Sequence, residues 1–265
     1  MKLPRLQLFE FNDAPWAPEP LKAQIIEALS HTIRWGGLLT EVVPHFETFM
    51  TRTRSHEVLD LASGAGGPAA ILARAMRHPP RFLLSDLQPK PEPWARLKAK
   101  HPEVIDYEAA PVDMTAIPKH LGAGRPRSII NALHHFPPDV ARVLLRGAAE
   151  GASGLFIAEA LVRNPARATA VAMAGIPALY LNPLLSTDAR LSKLLWTWPV
   201  PLALAAGIWD GAVSSMRAYT EAELRDLVQP WGAEWEWHYG VFSYPPWGKG
   251  SFFWGVPAPT GASVH

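Results

Sequence analysis

Val58-Leu59-Asp60-Leu61-Ala62-Ser63-Gly64-Ala65-Gly66-Gly67-Pro68 reads as a buried strand, a tight glycine turn and the opening of a helix. His56 to Leu61 supply the strand. Gly64, Gly66 and Gly67 carry no Cβ, so the backbone there can bend sharply and approach a ligand closely. Pro68 sits where a first helical turn tolerates proline, because that N–H has no intrahelical partner anyway. Ala69 to Met76 continue as good helix formers. A helix N-terminus placed this way offers free N–H groups to a polar ligand. The plain alternative is an ordinary strand-to-helix turn with nothing bound.

Downstream of the turn, short apolar stretches alternate with helical ones, the pattern of βαβ units around a parallel sheet. The strands read are 56–61, 81–85, 104–109, 127–131 and 154–159, with helices over 69–77, 93–100, 115–120 and 138–150. Upstream, residues 1–20 hold four prolines around Phe9, Phe11 and Trp16, an irregular arm with apolar hooks. Leu21 to Leu29 has helical spacing, and 31–51 reads as further helix broken near Gly36-Gly37 and Pro44. Downstream, Thr220 and Glu223 form a capping box. Trp235, Trp237 and Tyr239 alternate as a half-buried strand, and Phe252 to Val256 form the last one.

Open sheets of this class bind ligands at the carboxyl ends of their strands. Asp60 ends the first strand, Asp86 follows the second, Asp113 the third and Asn131 the fourth, while Glu159 ends the fifth. A carboxylate after the second strand suits the vicinal hydroxyls of a ribose. One followed by an apolar residue after the third suits an adenine. Each acid alone is an ordinary loop charge; their recurrence at successive strand ends points to a site.

These residues resemble the class I S-adenosylmethionine-dependent methyltransferases, over about 20–160 and again 219–258. The usual glycine motif has a glycine where Ala62 stands here. The resemblance implies an α/β fold with a doubly wound, mostly parallel seven-stranded sheet. The residues themselves read as one domain over 1–265, with an N-terminal helical arm over 1–50 and, from the apolar, proline-interrupted stretch after the fifth strand, a mostly helical cap over 161–215. S-Adenosyl-L-methionine is the implied cofactor. Asp60, Ala62, Gly64 and Gly66 would surround its methionyl part, Asp86 and Leu87 its ribose, and Asp113 and Met114 its adenine. The Asn131 carbonyl would lie near its amino group. Asn131-Ala132-Leu133-His134-His135-Phe136 resembles the corresponding segment of members that methylate small molecules.

Gly64-Ala65-Gly66-Gly67-Pro68-Ala69 also fits a dinucleotide motif, with Asp86 at the expected distance. Against a nicotinamide enzyme, Asp60 and Asp113 would oppose a pyrophosphate, and the loop contains no arginine or lysine. A sulfonium cation without phosphate suits an acidic pocket. A third reading is a non-catalytic cofactor-binding module whose apolar cap contacts a partner or a membrane.

The net charge of +1 gives no general field for nucleic acid. The chain has no cysteine, which excludes disulfides, thiol catalysis and zinc-thiolate sites. The N-terminal residues lack the apolar core of a signal peptide, so the expected compartment is the cytoplasm. Hydrophobic residues make up 48% of the chain and the 27 prolines are expected to interrupt helices. Leu194 to Trp209 is almost entirely apolar, but its 16 residues and internal prolines fall short of the ~20 a membrane-spanning helix needs. Three readings of the cap stand: a lid over an apolar acceptor, a dimer or membrane-surface contact, or core packing.

Methyl transfer from a sulfonium is an in-line displacement, served chiefly by holding the acceptor in a dry site. A hydroxyl acceptor also needs a base, and His134 or His135 is the candidate by position. The alternative is that they cap or underpin the next helix. No metal is expected: a site built from His134, His135 and Asp113 lacks supporting ligand spacing. Glu10, Asp13, Arg217 and Tyr219 are weaker guesses for the acceptor site.

Overall fold

The computed structural model describes residues 4–164, 173, 175–186, 189–245 and 248–259. The strands are β1 (Glu57–Leu61), β2 (Arg81–Leu84), β3 (Ile105–Tyr107), β4 (Arg127–Ile130), β5 (Leu155–Glu159), β6 (Trp235–Tyr244) and β7 (Gly248–Pro257). They form one seven-stranded sheet in the order β3-β2-β1-β4-β5-β7-β6. The pairs β1–β2, β1–β4, β2–β3 and β4–β5 are parallel, whereas β7 runs antiparallel to β5, with Glu159 opposite Ser251. Strands β4 and β5 are buried along their whole length. Strand β5 accordingly reads as an apolar run up to Glu159, whereas β4 opens on Arg127, which donates to the Gly147, Ala148 and Glu150 carbonyls, and on Ser128, which donates to Asp60.

Ten helices are described: α1 (Glu19–Trp35), α2 (Val43–Thr53), α3 (Gly67–Ala75), α4 (Pro91–Lys100), α5 (Lys119–Gly122), α6 (Pro138–Ala149), α7 (Ile176–Leu185), α8 (Arg190–Thr197), α9 (Leu202–Arg217) and α10 (Glu221–Val228). Proline mostly opens helices here instead of interrupting them. Six of the ten carry one in their first two positions, where the fixed φ is already helical. Pro44 is one of these and starts α2, so the break expected there is a helix N-terminus. Helix α1 runs past the expected end at Leu29. The Ser30 and Thr32 hydroxyls fold back onto the carbonyls of Ile26 and Ala28, both at 2.9 Å, so these polar residues stay within the helix. The helix expected over 115–120 shrinks to α5, because Thr115 is drawn into a turn with Asp113. The capping box of α10 forms: the Thr220 hydroxyl accepts from the Glu223 N–H, and the Glu223 carboxylate accepts from the Thr220 N–H at 2.9 Å.

The chain divides into two compact units. The larger comprises Leu39–Glu159, Thr220–Phe242 and Ser251–His265 and contains most of the sheet. Its core is aromatic. Phe46 and Phe49 of α2 pack with Phe82 of β2 and Phe156 of β5, and Phe49 also meets Trp254 of β7. Phe46, Phe49, Phe82 and Phe156 are fully enclosed, each contributing on the order of 2 to 3 kcal/mol of burial.

The smaller unit comprises Met1–Leu38, Ala160–Tyr219 and Ser243–Gly250. It joins the N-terminal arm to the helices of the expected cap. Leu21 and Ile25 of α1 pack on Ala203 and Ala206 of α9, and Ala28 packs on Ala178 and Leu179 of α7. The arm is tied down by α9. The Asp210 carboxylate accepts the N–H groups of Phe11 and Asn12, and Arg217 pairs with Glu10 at 3.2 Å and Asp13 at 3.1 Å. Arg5 lies over the Tyr219 ring. Part of the expected cap, 165–172, 174 and 187–188, lies outside the described residues. The apolar run 194–209 is divided between α8 and α9, which are bent by 76° to one another. Among the described residues no single helix is long and apolar enough to cross a membrane.

Candidate active site

The glycine turn is built on a buried lock of serines. Asp60, at the end of β1, is only 2% exposed, and both its side-chain oxygens are taken. Oδ1 accepts from the Ser128 hydroxyl at 2.6 Å and Oδ2 from the Ser63 hydroxyl at 2.7 Å. The Ser85 hydroxyl donates to the Asp60 carbonyl at 2.8 Å. The Asp60 carboxyl thereby ties the turn after β1 to Ser128 inside β4, and its carbonyl ties β1 to the end of β2. Asp60 thus shapes the loop from beneath.

Burial pushes the Asp60 carboxyl up to about 6, against the pull of the two serine hydroxyls; the nearby Asp86 charge adds to the rise. A folded value above the unfolded one means that the native state binds the extra proton. Stability is therefore expected to fall as pH rises from about 4 to about 6, by about 2 to 3 kcal/mol. Asp60→Asn, whose amide can donate to a rotated serine hydroxyl, should flatten that part of the profile. Urea unfolding of both proteins across this window measures it, and equal slopes would contradict the assignment.

Above the lock the backbone turns through left-handed conformations. Gly64 and Gly66 have φ of 54° and 79°, and Ala62 takes 52° despite its Cβ. The Trp94 indole N–H donates to the Gly64 carbonyl at 2.9 Å and holds the turn from α4. A Cβ on Gly66 would meet Leu97 at 2.7 Å and Leu84 at 2.8 Å, whereas one on Gly64 would meet nothing within 4 Å. Gly66→Ala is thus expected to lose about 2 to 4 kcal/mol through strain and overpacking, and Gly64→Ala about 1 to 2 kcal/mol through strain alone. Thermal melts of the two variants should separate them.

Asp86 sits half-buried at the end of β2. Its Oδ2 accepts from the Gly64 N–H and its Oδ1 from the Gln88 N–H, both at 2.9 Å. Each carboxylate oxygen holds one backbone donor and keeps lone-pair capacity for another. Leu87 beside it is exposed. Asp113 is exposed, and its Oδ1 accepts from both the Thr115 N–H and hydroxyl at 2.8 Å. The Thr115 N–H, then its hydroxyl, hold the Asp113 carboxyl below its ordinary range. Met114 is buried next to it. Asn131 has φ of 54°, so its backbone turns outward at the end of β4.

Leu133–His135 form one 3-10 turn after β4. His134 is buried, and its Nδ1 lies 2.7 Å from Oε2 of Glu159 at the end of β5. The other oxygen of Glu159 accepts the His134 backbone N–H at 3.1 Å. The carboxylate thus fixes the turn and places the ring proton on Nδ1, making Nε2 the basic nitrogen. The His135 ring lies 4.2 Å from that of His134, centroid to centroid. Glu159 was legible as a strand-end acid, but its pairing with His134 spans two strands and has no local signal.

No protein-family model matches the chain, and no curated protein matches it. Solved structures do. An O-methyltransferase family protein from Burkholderia thailandensis superposes with a TM-score of 0.53 at 16% identity, over 92% of this chain and 62% of that one. The fold is that of the class I S-adenosylmethionine-dependent methyltransferases. A candidate O-methyltransferase from Nostoc punctiforme gives 0.52 at 14% identity, over 96% and 64%. The pyocyanin biosynthetic protein PhzM gives 0.51 at 13%, over 85% and 56%. The chain therefore spans about three-fifths of the length of these three structures.

The methyltransferase fold brings Ala62, Gly64, Gly66, Asp86, Asp113 and Asn131 to one edge of the sheet, on or just past the ends of β1 to β4. Within that edge Asp60 is enclosed and Asp113 is engaged in its own turn. The acidic character expected of the edge therefore rests foremost on Asp86.

Proposed function

We propose that the protein transfers a methyl group from S-adenosyl-L-methionine to a small, largely apolar acceptor. The observation that carries this reading is Asp86, held by the Gly64 and Gln88 N–H groups at the end of β2 beside an open glycine turn. The residues present fit the cofactor: the space over Gly64 is what a Cβ would fill, and the turn carries no cation for a phosphate. Bound there, S-adenosylmethionine supplies an electrophilic methyl on a positively charged sulfur.

In this reading Asp86 accepts the two ribose hydroxyls, with Leu87 beside it. Asp113 accepts the adenine amine, and Met114 supports the ring. Gly64, Gly66 and Ala62 run along the methionyl part, and the Asn131 carbonyl accepts from its ammonium. Asp60 acts on the cofactor through the loop it locks. For a hydroxyl acceptor, His134 takes the proton at Nε2 while Glu159 stabilises the imidazolium that forms. His135 packs on the His134 ring and is placed as its neighbour in the site. No metal is assigned a part.

Isothermal titration tests the reading. S-Adenosylmethionine is expected to bind in the micromolar range, with NADH and NADPH silent. Gly64→Ala, which should fold, is expected to weaken that binding at least tenfold, because its methyl enters the proposed cofactor space. Binding of a nicotinamide nucleotide in place of the sulfonium would establish the dinucleotide alternative.

A further inference from the structure

The smaller unit contains a helix turned inside out. Helix α8 reads Arg190-Leu191-Ser192-Lys193-Leu194-Leu195-Trp196-Thr197, and it buries its polar side. Lys193 is 6% exposed and Thr197 is 1% exposed, whereas Leu191 is 71% and Leu195 54% exposed. Inward, the Lys193 ammonium meets Glu27 of α1 at 2.5 Å and the Ser186 hydroxyl, and Thr197 accepts from the Gln24 amide. Helix α7 packs Ala178, Leu179 and Pro183 inward but encloses a polar residue among them. Asn182 is fully enclosed, donating to the Gln24 carbonyl at 3.4 Å and to Glu27 at 3.3 Å, while Tyr180, Leu181, Leu184 and Leu185 face out. Gln24 Oε1 and Asn182 Oδ1 are enclosed without a hydrogen-bond partner.

In water an amphipathic helix packs its leucines inward and turns its lysine out. The reverse arrangement is that of helices in hydrocarbon, where polar side chains find their partners inside the bundle. The outward residues are aligned. Leu191, Leu195 and Trp198 repeat at i, i+4 and i+7, and Tyr180 and Leu184 at i and i+4. The two stripes meet where the Tyr180 and Trp198 rings lie 6.0 Å apart. Val200 and Leu202 extend the face around the corner at Pro199 and Pro201. Between 176 and 202, the one described charged side chain that is exposed is Arg190, at the start of α8.

We infer that this face docks on a lipid bilayer, with the leucines seated at the headgroup boundary. Tryptophan and tyrosine favour that boundary, and Arg190 complements the lipid phosphates. Among the described residues of 176–202, none is an acid that would repel them. Helices α8 and α9 together have the length and hydropathy of a membrane segment, but their 76° bend suits a pair lying in the interface.

The experiment is flotation of the full chain with vesicles of phosphatidylcholine containing a minor share of phosphatidylglycerol, at physiological salt. The protein is expected to rise with the vesicles. Leu191→Ser with Leu195→Ser should lower the floating fraction about tenfold or more, since these side chains lose their apolar burial. Tyr180→Ser with Leu184→Ser, on the neighbouring helix, should do the same. Each double variant is expected to keep the parent thermal midpoint, because the residues already face outward; whichever of them does so decides the test. Protein that remains at the bottom of the gradient overturns the inference, as do variants that float like the parent. Sedimentation equilibrium distinguishes the rival occupant: a dimer dispersed by the same substitutions, without flotation, assigns the face to a second copy. None of these readouts depends on methyl transfer.

Discussion

Replacing His134 by alanine should lower kcat for a hydroxyl acceptor by a factor of about 100 to 10,000, the usual contribution of a positioned base. Cofactor affinity should be unchanged, because in the proposed arrangement His134 touches the acceptor. Glu159 acts through His134, so its substitution has a different signature. Glu159→Gln retains a hydrogen-bond acceptor for Nδ1–H but removes the negative charge 2.7 Å away. Without that charge the imidazolium formed during proton transfer loses its stabilising partner, while the base itself stays in place. A fall in kcat smaller than that of His134→Ala is therefore expected. A His134→Ala enzyme that turns over at the parent rate would remove histidine from the mechanism. A Glu159→Gln enzyme with the parent kcat would leave the pair a structural one.

Asp86→Ala should weaken S-adenosylmethionine binding by at least about a hundredfold. Two hydroxyl groups lose a charged acceptor, and hydrogen bonds to charged groups contribute about 1.5 to 3 kcal/mol each. The substitution also takes away the acceptor of the Gly64 N–H. Asp86→Asn keeps one carbonyl oxygen and should fall between the two. Titration calorimetry at one salt concentration measures all three proteins, and an affinity for Asp86→Ala within a factor of two of the parent would detach Asp86 from the cofactor.

Much of the sheet was legible because its chemistry is local. A strand enclosed on both faces, as β5 is, stays apolar up to its last residue, and the helices between the strands show their own spacing. The turn from Gly64 to Pro68 was legible for the same reason: conformation and residue type constrain each other within a few positions. Pairings between distant segments were not. Nothing near His134 names Glu159 as its partner, and nothing in residues 4–17 shows that Asp210 and Arg217 receive them. Helix α8 illustrates a subtler limit. Its amphipathic spacing is readable, but the spacing does not say which side faces in. That choice is made by Gln24 and Glu27 on α1 and by Ser186 just past α7, which collect Lys193 and Thr197. The role of Asp60 was hidden similarly, because the serines that enclose it come from the turn after β1, the end of β2 and the body of β4.

Strand β5 faces a neighbour that comes late: Glu159 pairs with Ser251. During synthesis, the first four strands can assemble while one flank of β5 stays bare until β7 leaves the ribosome, a delay on the order of ten seconds at ordinary elongation rates. In that interval the leucine-rich helices emerge, which is when a nascent chain is most prone to stick to its neighbours. Loss of the final strand would leave that flank uncovered for good, so nonsense truncation near residue 245 should yield a chaperone client and not a weakened enzyme.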